Sequence, residues 1–169
     1  MLPRDVVRGR KNPSYMTLPA RLRRAREDAG LDLKQLSLRA GLSHNTAFSI
    51  ERGARVPAID TVAALAHVLS VRADWLGFGE SQPSSLPEPD NSSSLAERLR
   101  DTRIAQGLSY RAVAQAAGVS DMTVRATERG QTMPTIDTAE RMAKALGVSP
   151  GWLAFGARSV TSVQTISTE

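Results

Sequence analysis

The sequence predicts an all-α chain made of two tandem domains, each of five short helices. Three observations predict it. The chain repeats itself; each repeat is punctuated by glycines and short polar residues at helical intervals; and no segment before the C-terminal tail alternates as a strand would.

The repeat appears when Leu18 is laid on Leu95, a shift of 77 residues, and both are read on without a gap. Arg21-Leu22-Arg23 meets Arg98-Leu99-Arg100, and Arg26 meets Arg103. Gly30-Leu31 meets Gly107-Leu108, Ala40-Gly41 meets Ala117-Gly118, and Glu51-Arg52-Gly53 meets Glu128-Arg129-Gly130. Pro57, Ile59, Asp60 and Thr61 meet Pro134, Ile136, Asp137 and Thr138; Trp75-Leu76 and Phe78-Gly79 meet Trp152-Leu153 and Phe155-Gly156. About 25 of about 62 aligned positions are identical, far beyond the few that composition gives by chance. Each copy, about 60 residues, is long enough to fold but has a marginal core. The expected organisation is a basic arm at 1–17, a first domain at 18–80, a Pro/Ser-rich linker at 81–94, a second domain at 95–156 and a Ser/Thr/Val tail at 157–169. The β-branched stretch 160–166 is the one place where a strand could pair.

Within copy one, helix 1 is expected over 19–29, stopped by Gly30 as a C′ residue. Asp32 caps helix 2 (33–40), with Leu36 inward, and Gly41 makes the tight turn that follows. Ser43 caps helix 3 (44–52), which Gly53 closes; helix 4 covers 59–69, and a last short helix holds Trp75 and Leu76. In copy two, Ser109, Ser120 and Thr135 cap helices 2, 3 and 4, and Ser149-Pro150 places a cap before a first-turn proline. A helix, a four-residue turn (Ala40-Gly41-Leu42-Ser43) and a second helix make a helix-turn-helix unit, with Leu42 or Val119 filling the space between the two helices.

Composition narrows the chemistry. The chain has 169 residues, no cysteine and two histidines, His44 and His67, so disulfides, thiolate catalysis and Cys-type zinc sites are excluded and no metal or other cofactor is expected. No apolar run is long enough to span a membrane and the basic N-terminus lacks a signal-type apolar stretch, so a cytoplasmic location is expected, with no membrane partner and no small-molecule ligand. Net charge is +5 and the pI about 10.4, a balance that favours anionic partners. The excess is local: 13 basic against 8 acidic residues in 1–84, and 9 against 9 in 85–169.

Helix 3 carries the functional signal. At 100° per residue, Ala47, Ile50 and Glu51 fall on one side and His44, Asn45, Phe48 and Ser49 on the other. The apolar side must bury, so the second set faces solvent or a groove. Such a helix fits the DNA major groove: Asn45 suits adenine, His44 and Ser49 suit base edges, and Phe48 suits a thymine methyl. The outward set of copy two is Asp121, Met122, Arg125 and Ala126, with Val124 and Thr127 inward; Arg125 suits guanine and Asp121 the cytosine amine. Phe48 and Met122 suit a protein-contact face as well. Arg26 with Glu51, and Arg103 with Glu128, are expected as ion pairs holding helix 1 to helix 3.

These residues resemble the Cro/C1-type (Xre-type) helix-turn-helix regulators of phages and bacteria. The resemblance is carried by Arg26, Gly30-Leu31, Ala40-Gly41-Leu42-Ser43, Glu51-Arg52-Gly53, Pro57-x-Ile59 and Trp75-Leu76-Gly77-Phe78-Gly79. Copy two carries the corresponding set between Arg103 and Gly156. It implies lambda-repressor-like domains that bind double-stranded operator DNA, usually as a two-fold dimer, which makes a homodimer one expected partner. It also implies base contacts at His44, Asn45 and Ser49, with Asp121, Met122 and Ala126 in copy two, and phosphate contacts at Arg52, Arg55 and Arg129. The family usually has glutamine at the first position of helix 2; Leu33 and Tyr110 stand there instead, and Lys34 and Arg111, one residue on, are expected to supply that phosphate contact.

The leading expectation is a sequence-specific transcriptional regulator of the repressor kind. Arg4, Arg8 and Arg10 of the arm suit the minor groove. Half-sites on one face of DNA lie about 34 Å apart. A linker of about 14 residues has an r.m.s. span of about 20 Å and a full reach of about 45–50 Å, which permits docking on both. Unlike recognition helices then imply an asymmetric site. The alternative is a protein-binding adaptor, antitoxin or inhibitor, favoured by Leu33, Phe48, Tyr110 and Met122. No enzyme is expected: nothing arranges Ser and His as a triad, and only a short tail follows Gly156.

Overall fold

A computed structural model describes residues 13–80 and 93–156. The arm residues Arg4, Arg8 and Arg10, nearly all of the linker, and the tail fall outside them. Among the described residues there are ten helices and no strand. Copy one comprises α1 (Pro13–Asp28), α2 (Leu33–Arg39), α3 (Thr46–Glu51), α4 (Ile59–Leu69) and α5 (Ala73–Phe78). Copy two comprises α6 (Leu95–Ala105), α7 (Tyr110–Ala117), α8 (Asp121–Glu128), α9 (Ile136–Leu146) and α10 (Pro150–Phe155).

Local chemistry sets most boundaries. Asp32 and Gln35 form a capping box at α2, and Ser94 and Glu97 form one at α6, where the cap hydrogen bonds hold the Glu97 carboxyl below its ordinary range. Ser109, Ser120, Thr135 and Ser149 cap α7 to α10 through their side chains. Gly41 turns between α2 and α3 at φ +70°, a left-handed angle that a β-carbon disfavours.

Two boundaries differ from the expected ones. Helix α1 starts at Pro13, inside the segment assigned to the arm: a proline suits a first turn and no glycine intervenes, so Pro19 does not mark the start. Helix α3 starts at Thr46 rather than His44. The Ser43 hydroxyl bonds the Thr46 hydroxyl (2.9 Å) instead of capping the helix, and His44 and Asn45 form a turn before it. The orphan amide of Ala47 finds its acceptor on the neighbouring helix, at the buried Ser37 hydroxyl (3.0 Å), which itself donates to the Leu33 carbonyl (2.9 Å).

Leu18, Leu22, Leu36, Ile50 and Leu65 form the core of copy one; Leu99, Val113, Val124, Met142 and Leu153 form that of copy two. Each such side chain contributes roughly 1.5–3 kcal/mol by leaving water. The first core does not end at the copy boundary, because Ile136, Ala139 and Ala154 join it from copy two.

The copies meet about a pseudo-two-fold axis that relates residue n to residue n + 77. Ile59 N–H donates to the Pro134 carbonyl (3.1 Å) and Ile136 N–H to the Pro57 carbonyl (3.0 Å), the same contact made in both directions. Between them Ala58 and Thr135 form an isolated antiparallel bridge. Phe78 and Phe155 pack ring on ring at 5.9 Å. Arginines brace the short final helices: Arg21 donates to the carbonyls of Leu76 (3.0 Å) and Gly77 (2.8 Å), and Arg98 to those of Leu153 (3.0 Å) and Ala154 (3.1 Å). These satisfy carbonyls a helix end leaves open and place positive charge at its negative pole. Burial lowers the pKa of Arg21, against an opposing pull from Glu140 of copy two.

Candidate nucleic-acid interface

The third helix of each copy is anchored from behind. Ala47 and Ile50 are wholly buried on α3, as is Val124 on α8, with Thr127 almost so. Buried Thr46 adds to the anchor on α3, a position the helical-wheel reading did not assign.

A charge clamp fixes α3 against α1. Arg26 Nε donates to Glu51 Oε1 (2.6 Å) and Nη2 to Oε2 (3.1 Å), while Nη1 reaches the Leu31 carbonyl (3.0 Å). Copy two repeats it: Arg103 Nε to Glu128 Oε1 (2.6 Å), Nη2 to Oε2 (3.0 Å), and Nη1 to the Leu108 carbonyl (3.0 Å). Hydrogen bonding to the carboxylate raises the pKa of each arginine above its ordinary value. The side chains of Glu51 and Glu128 are 4% and 2% exposed, so each clamp is a buried bidentate pair that orients a helix. Arg23 joins Glu51 at 3.4 Å, a third member that sequence reasoning missed.

The opposite edge is open. His44, Asn45 and Phe48 are exposed and Ser49 is half-buried; Asp121, Met122 and Arg125 are exposed and Ala126 is half-buried. The first set therefore stands together at the start of α3, two residues on the turn and two on the helix. Lys34, Arg52, Arg55, Arg111 and Arg129 are all exposed, on α2 and α7 or just beyond α3 and α8. Copy one thus has an exposed polar edge at α3 and exposed cations on α2 (Lys34) and just after α3 (Arg52, Arg55), residue types that suit base edges and phosphates respectively.

Three cation–ring contacts, on two rings, were not legible beforehand. The Arg52 guanidinium lies 5.3 Å from the Phe48 ring centre, so the ring supports a cation at the helix edge. The Tyr110 ring gathers two arginines, with Arg103 4.1 Å and Arg125 4.8 Å from its centre. Arg125 also stands 3.9 Å from Asp121. Its guanidinium is held toward α7 and its own helix. The signal was present in the tyrosine at the first position of α7, but which cations it gathers depends on how α6, α7 and α8 pack.

No helix among the described residues is long and apolar enough to cross a membrane, and no cluster of three or more His, Asp or Glu side chains there could hold a metal. A family model described as helix-turn-helix matches the chain twice, over residues 22–76 and 99–153. Each match covers one copy from its first helix to its last.

Proposed function

The chain belongs to the Cro/C1-type helix-turn-helix family, a DNA-binding family of the transcription-regulator type rather than an enzyme family, and from that premise we propose a sequence-specific repressor of double-stranded operator DNA. The first copy reads the major groove with His44, Asn45, Phe48 and Ser49. Lys34, Arg52 and Arg55 grip the phosphates. The second copy adds contacts through Asp121, Met122, Arg125 and Ala126, with Arg111 and Arg129 on the backbone. Occupancy of a promoter by both domains would block transcription. The carrying observation is the anchored α3 with its exposed polar edge, together with exposed cations on α2 and just after α3.

A second reading has one specific support. Met122 is 69% exposed, on the helix where Arg125 is drawn toward Tyr110 and Asp121. An apolar tip on that helix favours a protein partner for copy two.

Salt separates the two. Five phosphate contacts give a slope of log K against log salt of about −4.5, a loss of about 10²–10³ in affinity between 50 and 200 mM. Fluorescence anisotropy of the full chain on a duplex recovered from a random pool is expected to show that fall. Failure to hold any duplex at 50 mM salt, with capture of a protein partner indifferent to salt, would replace the regulator reading by the adaptor one.

A further inference from the structure

The face that joins the copies is built from unlike residues at related positions. Asp74 lies at the pseudo-axis opposite Gly151. A Cβ placed on Gly151 would sit 2.8 Å from the Asp74 Cβ and 2.5 Å from Glu80 Oε2, nearer than such atoms approach in proteins. Gly151 is the space that Asp74 occupies. Away from the axis, a Cβ on Gly77 would sit 2.8 Å from Ile136 Cδ1, and the residue related to Gly77 is Ala154. Glu80 Oε2 accepts from the Ser149 hydroxyl (2.6 Å) and the Gly151 amide (3.0 Å). The residues related to Ser149 and Gly151 are Arg72 and Asp74, themselves a buried ion pair at 2.7 Å.

Consider each copy against its own kind. Two copies of the first domain would set Asp74 against Asp74, placing a β-carbon where there is no room and a second carboxylate beside one already buried. Glu80 would meet Asp74 in place of an open amide. Two copies of the second domain would lose the Glu80 acceptor, because at the related position the sequence has Ala157, and would replace the Gly77 contact with Ile136 by one from Ala154. At the axis, only the unlike pair sets a glycine against Asp74.

We infer that this face accepts copy one only against copy two of the same chain, so that the unit meeting DNA is a single chain with two unlike reading helices in fixed order. The short linker favours the pairing further: a tether of this length gives a millimolar effective concentration, about 10³ times a micromolar chain concentration. The pairing rule stands on the interface alone, whereas the stoichiometry on DNA rests on the function proposed above.

The absence of cysteine makes the rule measurable in the full chain. Ala58 and Thr135 form a non-hydrogen-bonded antiparallel pair, with a Cα separation of about 4.5 Å that suits a disulfide. The Ala58→Cys/Thr135→Cys variant is expected to close within one chain and to remain monomeric by light scattering. Equilibration with glutathione gives the effective concentration of its two thiols. Adding Gly151→Ala imposes the crowding that a pair of first copies would suffer, and should lower that value at least tenfold with helical content unchanged. Giving copy one the small residues of copy two, Arg72→Ser with Asp74→Gly, should recover most of it. Ala58→Cys alone should stay monomeric under the same oxidation. An effective concentration indifferent to Gly151→Ala, or Ala58→Cys dimers forming as fast as the double variant closes, would overturn the rule. Sedimentation on a selected duplex should give one chain per site, and two chains per site would overturn the single-chain unit. Failure to bind any duplex would count against the regulator reading only, while the thiol exchange still decides the pairing.

Discussion

Copy one and copy two share a scaffold and differ in how their third helices begin. In copy two, the Ser120 hydroxyl accepts from the Thr123 amide (3.0 Å), and α8 starts at once with Asp121. In copy one, the Ser43 hydroxyl meets the Thr46 hydroxyl just as Ser120 meets Thr123 (2.8 Å), but a buried amide of α3 takes its acceptor from Ser37 on α2, and His44 and Asn45 are left on an exposed turn. The related position to Ser37 is Ala114, so copy two has no such device. The outward cations differ too: Arg52 lies over Phe48 at the edge of α3, whereas Arg125 is held by Tyr110 and Asp121. One fold therefore carries two third-helix surfaces of different composition. The differences that set these surfaces lie in a few side chains around the turn, while related core positions exchange one buried side chain for another, as Leu36 for Val113 and Leu65 for Met142.

The largest expected effect breaks what the copies share. Glu51→Ala leaves Arg26 buried without its carboxylate and should destabilise copy one by about 3–5 kcal/mol, as Glu128→Ala should copy two. Urea unfolding followed by Trp75 and Trp152 fluorescence would compare them. With Arg23 also at Glu51, the loss in copy one should be at least as great.

The next prediction concerns the difference itself. Base contacts are worth about 1–3 kcal/mol each, so His44→Ala with Asn45→Ala should weaken specific binding about 100-fold or more. Arg125→Ala should cost less than about tenfold, since that guanidinium already has partners. Equal losses in an anisotropy titration would show that the copies read alike.

Ser37→Ala removes the acceptor of a buried amide and should cost roughly 1–3 kcal/mol in urea unfolding, although copy two has alanine there and needs nothing more. The smallest effect is at the end of α4. Ser70 holds φ +53° where copy two has Gly147 at φ +66°, so Ser70→Gly should add about 0.5–1 kcal/mol to copy one. A loss of stability on that change would place the strain elsewhere.

Much of the fold was legible because the chain states it twice. The caps at Asp32, Ser109, Ser120, Thr135 and Ser149 mark helix starts by local hydrogen bonding alone. The inward positions of the third helices follow from the helical period. The start of α3 was not legible, because Ser37 acts across a helix boundary and no local rule couples it to Ala47. Nor was the start of α1, since Pro13 and Pro19 give equally good first-turn signals. The contact between the copies lay beyond reading for the same reason: Pro57, Ile59 and their mates are repeated positions in the sequence, and only tertiary structure turns them into a reciprocal bridge. For the candidate site, the exposure of Phe48, Asp121, Met122 and Arg125 was readable from periodicity, whereas His44 and Asn45 are exposed on a turn that the helical period does not describe. The hold of Tyr110 on Arg125 was not.

The most direct test of the central claim is selection of duplexes from a random pool by the full chain, followed by sequencing. Two unlike half-sites are expected on one face of the helix, about 10–10.5 base pairs apart centre to centre. The stronger half-site should lose its sequence preference with His44→Ala and Asn45→Ala. A perfect palindrome, or a pool that comes through unenriched, would contradict that claim.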